Sequence, residues 1–216
     1  MRAVGIIDSG AAPGLPGAAY AFDSDGAGHD ALPDRLGHGT SVARTILRAC
    51  PSARLVHAQV FDARPVTSAL RVAAALDWLV ARGDVGPVCL SLGLSADRAV
   101  LAEAVARAQA AGLVLVAAHP ARGPAPWPAA YPGVIAGTGD ARCDWDALSR
   151  LGPRLFGAWC NSPEHGGSGM GGASLGTARL AGHVAAIMAD GVGTSEAVLD
   201  ALARRACHHG AERKTA

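Results

Sequence analysis

The strongest constraint on this chain is an alternation between short, mostly apolar runs and longer stretches rich in alanine and leucine. The runs are AVGII at 3–7, RLVHAQV at 54–60, PVCLSL at 87–92, LVLVAA at 113–118 and GVIAGT at 133–138. Runs of this length without a sustained polar face suit strands buried on both sides, as in a parallel sheet covered by helices. Residues 38–49, 66–82, 96–111, 174–189 and 194–206 are long enough for helices and mix apolar with polar positions. Such crossovers place helices on both faces of a sheet, so the expected fold is a three-layer α/β domain with a mainly parallel sheet. Hydrophobic residues make up 50% of the chain but aromatics only 4%. The interior must therefore be built from small aliphatic side chains, which lets helices lie close to the sheet. At 216 residues a single domain can bury a core without staples. It is expected to span 1–207, with 208–216 as a polar tail.

Charge and cysteine usage exclude several classes of function. The formal net charge is +1 and the charges are scattered, unlike the basic stripe that tracks phosphates, so no nucleic-acid partner is expected. The longest apolar runs fall far short of the roughly 20 residues a membrane helix needs, so no membrane span is expected. Five cysteines, an odd set with no CxxC pair, read as reduced thiols. The opening MRAVGIIDSG turns polar at Asp8 before any secretory-type apolar run develops. Both features point to a cytoplasmic protein. The adjacent Cys207, His208 and His209 cannot easily close a tetrahedral metal site, and no GxGxxG follows the first strand. Neither a metal nor a cofactor is expected.

Residues 9–37, 119–132 and 139–173 break the alternation with Gly, Pro and Ala; segments of that length in a compact domain usually carry function or irregular connections. Three polar residues stand beside them. Asp8 ends the first strand, where the carboxyl ends of a doubly wound sheet line the ligand crevice, although an Asp there also serves as a turn residue. His38 opens a helix between two glycines in GHGT, either facing the crevice or idle in its loop. Ser174 starts a helix after EHGGSGMGGA, where its amide is free to face an oxyanion; the alternative is a plain helix cap. Ser168, in the same loop, lacks the following helix and is the poorer candidate.

Taken in order, VGIIDSG, GHGTSVA and GASLGTARLAG resemble the Asp, His and Ser blocks of the subtilisin-like serine peptidases, and the chain order of the three residues is that of subtilisin. LSLG at 90–93 resembles the family's substrate-pairing segment, GLVLVAAHP with PAAYPGVIAGTG its oxyanion region, and SRLGP at 149–153 a further family segment. The resemblance spans Val4 to about Met188. It implies the subtilisin topology, with Asp8, His38 and Ser174 as a catalytic triad acting through hydrogen bonds. It also implies an extended peptide or protein substrate along Ser91, Leu92 and Gly93, with Ala117 and Ala118 opposite.

There are departures from the family pattern. Ala173, Gly176 and Ala178 stand where Thr, Ala and Pro are usual. AAHP at 117–120 stands where Ala-Ala-Gly-Asn is usual and the Asn serves the oxyanion hole; His119 is the nearby side chain that would replace it, beside the Ser174 amide. The implied activity is that of a serine endopeptidase working through an acyl-enzyme, maturing a specific peptide. The alternative is a pseudopeptidase that binds a peptide or a sister protease. The shortened start and absent pro-region relative to the family lead to the expectation of a homo-oligomer or a partner protease chain.

Overall fold

The computed structural model describes residues 2–161 and 171–211; Ser168 and residues 212–216 of the expected tail lie outside them. The chain begins with strand β1 (Ala3–Asp8), then β2 (Ala18–Phe22), β3 (Gly28–Asp30) and helix α1 (His38–Ala49). Next come β4 (Leu55–Gln59), α2 (Ala69–Arg82), β5 (Val85–Leu90), α3 (Ala99–Ala110) and β6 (Val114–Ala118). The remainder is β7 (Ile135–Gly139), β8 (Leu148–Arg150), β9 (Leu155–Ala158), α4 (Ala173–Ala189), α5 (Ser195–Arg205) and β10 (His208–His209). The strands form one sheet in the order β10-β8-β9-β7-β6-β5-β1-β4-β2-β3. Neighbours run parallel except β2 with β3 and β8 with β9.

Period-two alternation in the central strands builds the two cores. Ala3 and Ile7 of β1 pack with Leu76, Leu79 and Leu101 of α2 and α3. Val4 and Ile6 pack with Ile46, Leu180 and Val184 of α1 and α4. In β5, Val88 and Leu90 face the first core and Cys89 the second. Since both faces are covered, nearly every residue of these strands is apolar, which is why they read so clearly in the sequence. Burying an aliphatic side chain of this kind is worth about 1.5–3 kcal/mol.

The helix ends follow local chemistry. α2 starts where the Ser68 hydroxyl accepts from the Arg71 amide at 3.1 Å and stops at Gly83, whose φ is 69°. α5 starts where Thr194 caps the Ala197 amide at 3.2 Å. The expected helices are present, but three segments differ from the sequence reading. The irregular stretch 9–37 contains β2 and β3, and 139–173 contains β8 and β9. These strands have three to five residues and owe their form to pairing partners on other strands, such as Ala18 to Val56 and Leu148 to Ala158. The polar tail expected from residue 208 is partly drawn into the sheet, because His208 and His209 pair with Ser149 and Arg150.

Candidate active site

The carboxyl ends of β1, β5 and β6 open on a cleft of about 840 Å³ whose walls include Asp8, His38, Ser91, Leu92, Gly93, Ala118 and Ser174. Residues 8, 38 and 174, far apart in the chain, thus share one cavity at the crevice of the sheet.

The Asp8–His38 side is bound into the scaffold. Asp8 is the last residue of β1, and its side chain is 1% exposed against 27% for His38. His38 Nδ1 donates to Asp8 Oδ1 at 2.7 Å, and the Ser9 amide donates to the same oxygen at 2.7 Å. That bond fixes the imidazole tautomer and leaves Nε2 free as a base. The hydrogen bond to Asp8 raises the His38 pKa above its ordinary value; burial opposes the rise, and the charges of Asp8 and Asp34 add to it. His38 is the first residue of α1, just after Gly37 at φ 70°. Gly39 has no room for a side chain, because a Cβ there would strike the carbonyl oxygen of Gly10. This close approach holds the start of α1 against the end of β1.

A residue the sequence reading passed over organises this side. Asp34 Oδ1 accepts from Ser9 Oγ at 2.8 Å, the Leu36 amide at 3.0 Å and the Gly37 amide at 2.9 Å. Its Oδ2 accepts from the Thr40 amide at 2.8 Å and Thr40 Oγ1 at 2.6 Å. Ser9 Oγ in turn accepts from the Gly39 amide at 2.9 Å. Burial would push the Asp34 carboxyl up, but the hydrogen bonds from Thr40, Ser9 and Gly37 outweigh it and hold the group low. The signal was present in DRLGHGT, since an Asp two and three residues before free amides forms this kind of turn.

Ser174 is the second residue of α4, within the first turn, whose amides have no carbonyl behind them. The helix is pressed onto the sheet. A Cβ on Gly176 would meet the Thr138 carbonyl, and Thr177 Oγ1 donates to Gly137 O at 2.8 Å. Gly176, where the resembled family usually has Ala, is therefore matched to a tighter approach of α4 to β7. Ser91 Oγ donates to Ser174 O at 2.9 Å, while Ser174 Oγ donates to Ser91 O at 3.3 Å. Of the two hydrogen bonds that a triad would have, the described residues show the one between Asp8 and His38. The serine hydroxyl, free to rotate about one bond, is turned to the β5 carbonyl instead of the imidazole.

Two other expected site residues lie elsewhere. His119 Nδ1 sits 2.6 Å from Pro120 O, and its amide donates to Gly137 O at 2.7 Å, extending the β6–β7 ladder. Ala118 and Pro120, on either side of it, line the cleft. In extended chain alternate residues face opposite ways, so His119 is directed away from the serine. The same parity sends Ala117 into the core under α2 and α3. Ser91, Leu92, Gly93 and Ala118 do line the cleft as expected.

No family model matches the chain. The thermostable alkaline protease of Halalkalibacterium halodurans is 34% identical to it over 148 residues, which is 62% of this chain and 40% of the relative. The chain thus spans about two fifths of that curated relative's length. A cold-adapted subtilisin-like serine proteinase superposes with a TM-score of 0.74 at 21% identity, covering 92% of this chain and 79% of that one. Sphericase superposes with a TM-score of 0.71 at 20% identity, covering 95% and 85% respectively. The fold is subtilisin-like.

Proposed function

We propose that this chain is a serine endopeptidase that cleaves peptide bonds through an acyl-enzyme. The observation that carries the reading is the 2.7 Å bond between a buried strand-end carboxylate and His38, in one cleft with a serine in the first turn of a helix. Rotation of Ser174 about χ1 would turn its hydroxyl from Ser91 towards His38. His38 Nε2 takes the hydroxyl proton as Oγ attacks the scissile carbonyl carbon, and Asp8 stabilises the imidazolium through Nδ1. The oxyanion faces the Ser174 amide and the positive end of α4. Collapse breaks the C–N bond, and His38 returns its proton to the departing amine. Water, deprotonated by the same imidazole, then releases the acyl group.

An extended substrate pairing with Leu92 and Gly93 suits their place in the cleft wall, and the apolar Phe61, Val66 and Leu92 favour apolar residues along part of the groove. The reading extends to limited processing of a particular peptide, supported by the conformationally restricted Pro65, Pro120 and Pro126 in the cleft lining. A second reading, a peptide-binding pseudopeptidase, draws on the Ser174 hydroxyl bonded to Ser91 and on Pro120, which has no donor, at the cleft edge. Incubation with a diverse peptide library, followed by mass spectrometry, separates the two. The first predicts new termini with the native chain and none with Ser174→Ala; the second predicts retention of peptides uncut by both.

A further inference from the structure

The cleft that holds Ser174 is also lined by Pro126. Beside Ser174 its two walls are Ser91–Ser95, leaving the end of β5, and Ala118 and Pro120, leaving the end of the adjacent strand β6. With its reacting carbonyl at Ser174 and its main chain along Leu92 and Gly93, a substrate projects the side chain preceding the scissile bond between these walls. Pro126 stands there. It lines the cleft, and a Cβ on Gly93 would lie only 2.8 and 2.9 Å from Cγ and Cβ of its ring. The ring therefore rests directly on the main chain of the opposite wall.

The proline is held in place from both sides. Leu94 and Trp127 exchange backbone hydrogen bonds of 2.7 and 2.9 Å, tying the residue after Pro126 to the one after Gly93. The Ala130 amide donates to Pro126 O at 2.9 Å. Trp127 packs on Tyr131 at 4.4 Å between ring centroids, and the Tyr131 hydroxyl donates to Asp97 at 2.6 Å. A ring clamped in this way does not swing aside for a large side chain as a flexible residue would.

We infer that Pro126 is a specificity-determining residue, closing the space between Gly93 and Ala118 so that alanine or glycine is accepted immediately before the scissile bond and large side chains are excluded. This rests on the peptidase reading above. The test uses two peptides identical except for Ala or Phe before the scissile bond, with kcat/KM measured for the native chain and for Pro126→Gly and Pro126→Ala. Labelling of native Ser174 by a small alkyl fluorophosphonate, which does not need that space, is measured in parallel. The native chain should favour Ala by about 100-fold or more, and the shortened variants should reduce that ratio by about tenfold or more. Equal cleavage of the two peptides, or an unchanged ratio in whichever shortened variant folds, overturns the assignment to Pro126. Native protein that labels and cleaves the Phe peptide preferentially overturns this inference alone, whereas folded protein that neither labels nor cleaves overturns it together with the peptidase reading.

Discussion

The two sides of the cleft are built in different ways. Around Asp8 and His38, position is set by a dense network in which one carboxylate, Asp34, ties the loop after β1 to the start of α1 through five hydrogen bonds. Around Ser174, position is set by packing, with Gly176 against the Thr138 carbonyl and a reciprocal bond pair with Ser91. In the proposed peptidase the base is preorganised, while the nucleophile is held in another rotamer. In that proposal the stabilisation of an oxyanion falls to main-chain amides, since His119 Nδ1 lies against Pro120 O and Pro120 has no N–H. Catalytic power is thus expected to be limited on the serine side.

The largest test of this contrast is to remove the pieces themselves. Ser174→Ala should abolish peptide cleavage, and Asp8→Asn should lower kcat by about 10⁴ by favouring the wrong imidazole tautomer. Far-UV circular dichroism of each variant would confirm that the fold is retained. If Asp8→Asn were nearly harmless, the network on that side would be structural only.

A gain of activity would sharpen the comparison further. Pro120→Asn places an amide donor at the cleft edge opposite Ser174 and should raise kcat by roughly 10–100-fold with little change in KM, because the bond forms in the transition state. An unchanged kcat in a folded variant would mean that the serine side already has a sufficient oxyanion site.

Asp34→Asn tests the network around the base. It confronts the Thr40 donors with an amide group, and leaving a donor unmatched costs about 1–3 kcal/mol, less here because Asp34 is only partly buried. Thermal unfolding should report that loss. The pH profile provides a second readout that a purely structural role would not move. The His38 pKa is raised above 6.5, so its interaction with Asp8 stabilises the fold fully below the ordinary value and is lost as pH rises through the raised one. Catalysis needs the neutral ring, so kcat/KM should climb only above 6.5, and Asp34→Asn, by removing one of the charges that favour the imidazolium, should move that limb down. A limb that stays fixed would remove Asp34 from the electrostatics of the base.

The smallest effect is expected at His119. With its Nδ1 against Pro120 O, His119→Ala should leave kcat within about threefold, whereas loss of a true oxyanion donor would cost roughly 10²–10³.

The same contrast governs what was legible in the sequence. β1, β4, β5, β6 and β7 were visible because they are buried on both faces and nearly all their residues are apolar, and α1 was readable to its first residue from GHGT. The strands β2, β3, β8, β9 and β10 were not, because their pairing is fixed by partners up to dozens of residues away and not by their own pattern. Of the candidate site, Asp8, His38 and Ser174 were singled out from motif order and strand ends, and they line one cleft. Asp34 had a local turn signature that was overlooked beside its more conspicuous neighbour. The direction of His119 and the depth of Ala117 depended on the parity of β6 at its end, which a shift of one residue reverses. Nothing in the linear sequence placed Pro126 on Gly93, since that contact arises only when 120–128 folds back against 91–95.

The central claim is that Asp8 and His38 activate Ser174. The most direct measurement is reaction of the folded protein with an alkyl fluorophosphonate, with the modified residue located by mass spectrometry. The account predicts one adduct, on Ser174, forming faster as His38 loses its proton and falling by orders of magnitude in His38→Ala. Folded native protein that stays unlabelled, or labelling of Ser174 that proceeds as fast in His38→Ala, would contradict it.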